Sequence, residues 1–426
     1  MCITLRKQPQ MCTRFIGSQL ICSLLASLAA LTAQAQKKTE IEIHGQVWLT
    51  TDYNFQSQDP NWFEMLRPSK ISNDKGEAYA GNGNFSVGVR PSRFGIQVRQ
   101  ATEKGMIKTQ FDFDLVGNGN NVGQTSFRLF NAYVEWNGFA FGKKNSVFMD
   151  GAVVPSTVDF FGPCGMVLLR NAQISYKAID TKEHEVMVGL ENPNATSDLG
   201  QYGADFDFGN RLNNMRFITK APAVAAHYKR NFPHGHIQVA ALAKYTAWND
   251  GDKTATQDLS GSTWGYGANI TGAYKPLPQL QLLGAFVAGK GIQNYLNDGT
   301  ADIGVQRNYA NSFQPIIGKP IPFISFMGYA TYGWNKYWST TVGYSAMHHQ
   351  TFNTQLNNAL QVGGYATVNL LYKPTPQFTF GIEYQHAHRR NTNFIGDAVF
   401  ALPAAAGKSF AIHKVQAMLV YKFSSL

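Results

Sequence analysis

The strongest constraint on this fold is an alternation of apolar and polar side chains that recurs from Ile41 to Phe423. Each alternating segment is about a dozen residues long, and the connections between segments are alternately short and long. Successive side chains of a β-strand point to opposite faces, so each segment has one apolar and one polar face. Hydrocarbon excludes unpaired backbone groups, and closing a sheet removes them. The pattern therefore predicts an all-β protein, a closed antiparallel transmembrane β-barrel.

The predicted strands can be counted along the chain. In the first strand, Ile41 and Ile43 fall on one face, whereas Glu42 and His44 fall on the other. In the second strand the phase shifts across Pro91-Ser92, which predicts a bulge. The count is sixteen strands, with fourteen and eighteen as alternatives. Short periplasmic turns are expected at one end and long extracellular loops at the other. The long connections are expected at about 55–84, 117–124, 149–169, 193–214, 249–261, 291–321, 349–359 and 390–411.

The first 35 residues have the features of a secretory signal. Lys7 and Arg14 are positively charged, Leu20 to Thr32 is apolar, and Ala33-Gln-Ala35 is a small-x-small cleavage site. Cleavage would leave residues 36–426 as the barrel. A membrane anchor helix is the alternative, but the apolar run is short and ends in a cleavage signature. The signal predicts export and, with the barrel pattern, a place in the outer membrane.

The rest of the composition agrees with an exported barrel. Three of the four cysteines lie in the predicted signal, so Cys164 has no partner for an internal disulfide. No later segment has about 18 consecutive apolar residues. The formal net charge is +10, which predicts a positive potential along a water-filled lumen. Because no Lys/Arg cluster is interleaved with aromatic residues, nucleic acid is not an expected partner. A secreted β-sandwich or β-helix is the alternative class.

The connection at residues 149–169, between the fifth and sixth strands, is far more apolar than an exposed loop should be. It contains Val153-Val154-Pro155 and Asp159-Phe-Phe-Gly-Pro163. We expect this third loop to fold into the barrel and to narrow the pore as a constriction loop. The alternative is that it lies on a neighbouring subunit.

Basic side chains of the predicted lumen wall face this loop. Arginine presents a fixed fork of donors that suits carboxylates, so a cluster of arginines favours anions. The alternative is that each arginine only pairs with an acid of the wall, such as Asp112 or Asp114. The candidate pore and constriction residues are Arg90, Arg93, Arg99, Lys108, Lys144, Asp150, Asp159 and Arg170.

Several motifs resemble those of the DcaP-type outer-membrane porin family. They are Pro91-Ser-Arg-Phe-Gly95, Phe111-Asp-Phe-Asp114, Arg128-Leu-Phe-Asn-Ala-Tyr-Val-Glu-Trp136, Phe148-Met-Asp150 and Asp159-Phe-Phe-Gly-Pro163. The resemblance implies a sixteen-stranded trimeric diffusion channel that takes up small anionic solutes, often dicarboxylates. It also implies that Arg93 and the 149–169 loop form the constriction.

The sequence departs from that family pattern at both ends. It lacks a long helical extension before the first strand, so a periplasmic coiled-coil stalk is not expected. Ser424-Ser425-Leu426 follows the final aromatic residue, Phe423, which weakens the barrel-assembly signal at that position.

Together these features predict an outer-membrane porin for passive diffusion of small hydrophilic, preferentially anionic solutes. The expected partners are these solutes, outer-membrane lipid and two further copies of the chain in a homotrimer. No cofactor is implied and no enzyme is expected. A hydrolase needs a nucleophile, a histidine and an orienting group that converge, and among ten histidines pairs such as His348-His349 and His386-Ala-His388 arise easily by chance. The alternative is a surface-binding or structural outer-membrane barrel that acts through its extracellular loops.

Overall fold

The computed structural model describes residues 39–71, 83–252, 256–394 and 406–426. The predicted signal, residues 1–35, lies outside these ranges. Sixteen strands pair antiparallel with their neighbours, and the last strand pairs with the first, so the sheet is a closed barrel. The predicted fold class and strand number are therefore confirmed.

Fourteen strands are continuous, and two are built from two pieces each. They are β1 (Thr39–Asn54), β2 (Asn84–Gly88 and Arg93–Thr102), β3 (Gly105–Asp114), β4 (Arg128–Trp136), β5 (Phe139–Asn145), β6 (Arg170–Asp180), β7 (His184–Glu191), β8 (Arg216–Ile218 and Ala223–Phe232), β9 (Gly235–Asn249), β10 (Gly261–Leu277), β11 (Leu280–Lys290), β12 (Pro322–Gly333), β13 (Trp338–His349), β14 (Leu360–Tyr372), β15 (Phe378–Asn391) and β16 (Ser409–Ser424). The eighth strand was expected to be continuous, but it is interrupted at residues 219–222.

The alternation in β1 produces two distinct faces. Ile41 and Ile43 are 50% and 44% exposed on the outer face, whereas Thr50 and Asp52 are buried inside the barrel. Exposed apolar side chains outside and polar side chains inside are the arrangement of a membrane barrel. A water-soluble globule would show the reverse.

The predicted bulge in the second strand is present. Thr50 pairs with Gly88 and Gln46 pairs with Arg93, so β2 has one more residue than β1 over the same stretch. The extra residue explains why the outward side chains shift phase across Pro91-Ser92.

The short connections all lie at one end of the barrel, which we call the short-turn end. The connection between β4 and β5 is the predicted two-residue turn, with positive φ at Asn137 (48°) and Gly138 (83°). Within the described ranges, no helix has the length and hydropathy needed to span a bilayer.

The opposite end carries the long loops, numbered in chain order from L1, which joins β1 to β2, to L8, which joins β15 to β16; L4 joins β7 to β8 and L6 joins β11 to β12. L4 and L6 share a small sheet made of Ser197–Asp198, Ile303–Arg307 and Ile316–Pro320. The short helices are Pro60–Trp62, Pro68–Lys70, Gly119–Asn121, Gly151–Val153, Gly200–Ala204, Gly209–Asn213 and Gln293–Tyr295.

L3 comprises residues 146–169 and contacts lumen-facing side chains of distant strands. Near its start, the Asn269 amide of β10 donates to the Phe148 carbonyl at 2.9 Å. Farther along, the backbone N–H of Val158 donates to the Glu383 carboxylate of β15 at 2.8 Å. L3 therefore runs through the lumen and contacts strands opposite its own.

Candidate functional site

Two cavities lie in the lumen beside the wall of β2 to β5. The first has a volume of about 460 Å³, and its lining includes the polar side chains of Gln110, Asp112 and Tyr133. The second, about 440 Å³, lies between this wall and apolar residues of L3 such as Phe160 and Leu168. The residues that line both cavities are Arg93, Phe130, Asn145 and Arg170. These four residues, which we call the waist, form the boundary between the two spaces.

Two arginines of the waist stack on one aromatic ring. The guanidinium carbons of Arg93 and Arg170 lie 3.4 and 3.6 Å from the centre of the Phe130 ring. They are therefore no more than 7.0 Å apart, the sum of those two distances. The Nε atoms of both arginines are buried and make no hydrogen bond within the described part of the chain. Among the same residues, neither guanidinium forms an ion pair, so the waist carries two positive charges.

Holding two like charges this close has a cost that the ring offsets. At 7 Å the repulsion is about 0.6 kcal/mol in bulk water and about 2.4 kcal/mol at an effective dielectric constant near 20. Each cation–π contact contributes about 0.5–2 kcal/mol in return. The repulsion and the cation–π attraction are thus of similar size, so both guanidinium groups can stay beside one ring.

The carboxylates nearest the waist are bound by other side chains. Asp114 accepts two hydrogen bonds from the Arg128 guanidinium, at 2.9 and 2.5 Å. Asp112 lies 2.8 Å from the His44 ring nitrogen and accepts from the Asn131 amide at 2.5 Å. These contacts explain how two arginines stay unpaired in a lumen that also contains acids.

A β-bulge turns Phe130 into the lumen. Asp112 pairs with Asn131 while Phe113 pairs with Leu129, so Phe130 is an extra residue on β4. Simple alternation back from Trp136 would have placed Phe130 on the lipid face, yet its side chain is only 7% exposed. Sequence reasoning missed this residue. The signal was present as the change of phase between Arg128 and Asn131.

Of the predicted site residues, Arg93 and Arg170 meet at the waist. Three others lie nearer the short-turn end and are paired with glutamates. Arg99 lies 3.6 Å from Glu42. The Glu135 carboxylate accepts a hydrogen bond from Lys144 at 2.6 Å and lies 3.7 Å from the Lys108 ammonium. Lys144 also lines the first cavity. The structure therefore separates these basic residues into an unpaired pair and a neutralised group.

Arg90 lies within the β2 bulge and outside both cavities. Its Nε donates to the Glu64 carboxylate at 2.8 Å, and its Nη2 donates to the Asn61 carbonyl at 3.0 Å. Both partners belong to L1, so Arg90 attaches that loop to the barrel wall.

Asp150 anchors the first part of L3. Its buried carboxylate contacts Lys229 at 3.1 Å and His236 at 2.7 Å, and it accepts from the Thr271 hydroxyl at 2.7 Å. Burial by itself would raise the pKa of the Asp150 carboxyl, but the hydrogen bond from His236 and the charge of Lys229 hold it well below its usual value. The ionised carboxylate connects L3 to β8, β9 and β10.

Asp159 anchors the tip of L3 in another way. It is fully enclosed and accepts backbone hydrogen bonds from Leu66 at 2.8 Å and Phe161 at 2.9 Å. Burial raises the pKa of this carboxyl above its ordinary value, because the charge of Lys414 and the amide donors only partly offset the desolvation. Asp159 therefore joins L3 to L1 and does not itself line either cavity.

The same tip is held by a partly buried arginine that the sequence did not single out. The Arg67 guanidinium lies 4.4 Å from the Phe161 ring and 4.6 Å from the Trp62 ring, and 3.7 Å from the Asp298 carboxylate. L1 and L6 thus hold Phe161 in place, where it lines the second cavity.

Comparisons with known proteins agree with this architecture. The outer membrane channel DcaP of Acinetobacter baumannii superposes with a TM-score of 0.73 at 17% identity, covering 90% of this chain and 97% of that one. An anion-selective porin from Comamonas acidovorans gives a TM-score of 0.56 at 10% identity, covering 91% and 100%. The trimer form of OmpT from Vibrio cholerae gives 0.54 at 12% identity, covering 90% and 99%. At these identities the likeness concerns the fold alone.

A search of curated protein sequences found no match to this chain. A family model described as DcaP outer membrane protein matches residues 29–246, just over half of the chain. The family and the porin fold place the protein in the outer membrane as a channel rather than an enzyme. The chain belongs to the DcaP outer membrane protein family.

Proposed function

We propose that this protein is a porin that lets small hydrophilic solutes diffuse across the outer membrane and that it favours anions, in particular carboxylates. The observation that carries the proposal is the pair of unpaired guanidinium groups of Arg93 and Arg170, which line both lumen cavities. A solute that moves from one cavity to the other passes these two groups.

Selection at the waist follows from electrostatics. A carboxylate reaching Arg93 and Arg170 gains charge-assisted hydrogen bonds, and bidentate geometry strengthens them. A cation meets two like charges in a narrow space of low effective dielectric, where repulsion is stronger than in bulk water. Binding must remain weak enough for release, and the solvent around the neighbouring cavities supports rapid exchange.

The proposal includes assembly and export. We propose a homotrimer in outer-membrane lipid, in line with symmetric closure as the usual arrangement of homo-oligomers and with the trimer form solved for OmpT. We also propose that residues 1–35 are a cleaved signal and that L3 constricts the pore.

The direct test is single-channel recording in planar bilayers with a salt gradient. We expect open steps and a reversal potential that favours anions. The double variant Arg93→Gln/Arg170→Gln should lower the anion-to-cation permeability ratio to near one while single-channel steps persist. A bilayer that stays silent with correctly folded protein would contradict the porin and favour the alternative, a barrel that acts through its extracellular loops.

Liposome swelling tests the solute class. Vesicles containing the protein should swell faster in monocarboxylates and dicarboxylates than in neutral sugars or cationic amino acids of similar size. Equal rates for all four groups would show that the arginines do not discriminate. Vesicles with the Arg93→Gln/Arg170→Gln double variant are the matched control.

A further inference from the structure

We infer that Phe130, an uncharged side chain, determines the selectivity of the pore by holding Arg93 and Arg170 side by side in the lumen. This inference rests on the proposed function, since it assumes that the two arginines select anions. It goes further by assigning the arrangement of those charges to one aromatic ring.

The Phe130 ring stacks closely on both guanidinium groups. Their carbons lie 3.4 and 3.6 Å from its centre, whereas the next aromatic ring near Arg93, that of Phe160, is 5.9 Å away. The Nε atom of each arginine has no hydrogen-bond partner among the described residues, so no side-chain hydrogen bond fixes that part of the group. The face of an aromatic ring attracts cations and can hold both groups in spite of their mutual repulsion.

Without the ring, each arginine would have nearby carboxylates as alternative partners. The charges of Asp112 and Asp114 act on both guanidinium groups, although these acids are already bound by Asn131 and Arg128. A released arginine would move toward these carboxylates, because opposite charges attract most strongly where water is scarce. Its charge would then be neutralised, as those of Arg99 and Lys108 are elsewhere in the lumen. Phe130 therefore keeps the charges available to a solute.

The backbone makes this role specific to position 130. Phe130 is the extra residue of the β4 bulge, and only the bulge directs its side chain inward. A bulge re-aims one side chain without interrupting the barrel on either side. The bulge directs the ring into the lumen, and the ring holds the arginine that β2 contributes and the one that β6 contributes.

The test compares variants of Phe130 by reversal potential in planar bilayers. Phe130→Leu removes the ring but keeps an apolar side chain, and it should lower the anion-to-cation permeability ratio roughly two-fold or more. Phe130→Tyr and Phe130→Trp keep a ring and should retain the ratio. Phe141→Leu removes an aromatic side chain from the lipid face of the adjacent β5 and should leave the ratio unchanged.

A double-mutant cycle separates positioning from a general structural effect. In the Arg93→Gln/Arg170→Gln background, Phe130→Leu should have no further effect on the permeability ratio, because the ring then has no arginine to hold. Only variants that fold are compared, as judged by β-sheet circular dichroism and by heat-modifiable migration in gels. If Phe130→Leu does not fold, Phe130→Met provides the same comparison.

Each outcome is decisive. If Phe130→Leu keeps the wild-type ratio while the arginine double variant loses it, the inference is wrong and the proposed function stands. Equal losses in Phe130→Leu and Phe130→Tyr would also overturn it, since they would show that packing rather than the ring matters. If the arginine double variant itself keeps the ratio, the proposed function fails.

Discussion

The waist and the short-turn end of the lumen both carry basic side chains, but they differ in pairing. At the waist, Arg93 and Arg170 stack on a ring and make no ion pair among the described residues. At the short-turn end, Lys108 and Lys144 share one glutamate, Glu135. The difference shows that a basic residue facing the lumen does not by itself provide an unpaired charge. The local supply of carboxylates decides whether its charge remains available.

The two regions also differ in how firmly their charges are held. The ion pairs of the short-turn end are partly exposed, so each contributes only about 0–1 kcal/mol and is screened by salt. At the waist the Nε atoms of both arginines are buried, and salt screens buried charges less than exposed ones. We therefore expect the waist to control selectivity across a wide range of ionic strength, and the short-turn end to matter mainly in dilute salt.

The largest effect is expected from reversing a charge at the waist. Arg170→Glu places a carboxylate beside Arg93, neutralises it and removes the second positive charge. The permeability ratio should then shift by roughly ten-fold or more toward cations, consistent with a change of several charge–charge interactions of about 1–2 kcal/mol each. Reversal potentials in a potassium chloride gradient measure it. An unchanged anion preference would show that the waist is not the selective region.

The next largest effect is expected from a variant that gives the short-turn end unpaired positive charges like those of the waist. Glu135→Gln releases Lys108 and Lys144 from their shared carboxylate, leaving two unpaired positive charges, one of them on Lys144 in the lining of the first cavity. Anion permeability should rise by roughly two- to five-fold at low salt and return toward wild type at 1 M salt, because screening removes the difference. The same salt series on wild-type protein is the control. If permeability falls, the unpaired charges do not attract anions there.

A third comparison concerns the two acids that anchor L3. The pKa of Asp150 is held below its unfolded value, so its contribution is fully present above a pH of about 4 and is lost only as the pH falls further. The pKa of Asp159 is raised instead, so the effect on stability is the opposite: ionisation of that buried carboxyl opposes folding.

Asp150→Asn should therefore loosen L3 at pH 7 and increase single-channel current noise. Asp159→Asn should have the weaker effect, since the amide still accepts a backbone hydrogen bond and no longer requires a buried charge. Current noise at fixed voltage measures both variants. Greater noise in Asp159→Asn than in Asp150→Asn would reverse our assignment of the main anchor.

The smallest effect is expected from Arg99→Gln. Arg99 is 41% exposed and lies 3.6 Å from Glu42 and 4.0 Å from Glu40, so its charge is already offset. The permeability ratio should stay within roughly 1.5-fold of wild type. A loss as large as that of the Arg93→Gln/Arg170→Gln variant would remove the distinction between the two regions.

The periodicity of the sequence was sufficient to predict the barrel. The alternation beginning at Ile41 predicted the lipid face, the shift at Pro91-Ser92 predicted the β2 bulge, and Asn137-Gly138 predicted a tight turn. These features are local, because one or two residues determine the face or the turn. The break in β8 at residues 219–222 was missed.

The site was only partly predictable. The alternation in the sequence placed Arg93 on the lumen face, but it placed Arg90 and Arg99 there as well and did not distinguish the three. Arg90 instead pairs with Glu64 of L1, and Arg99 lies beside Glu42 of β1. These partners are distant in sequence, so pairing could not be read from spacing along the chain.

The sequence alone therefore determined which side chains face lipid and which face water, because strand geometry assigns faces two residues at a time. The tertiary structure decided which charges remain unpaired. That outcome depends on the register between strands, on a one-residue bulge at Phe130, and on loops that return into the lumen. Each of these sets distances between residues far apart in the chain, and charge availability varies with distance rather than with sequence order.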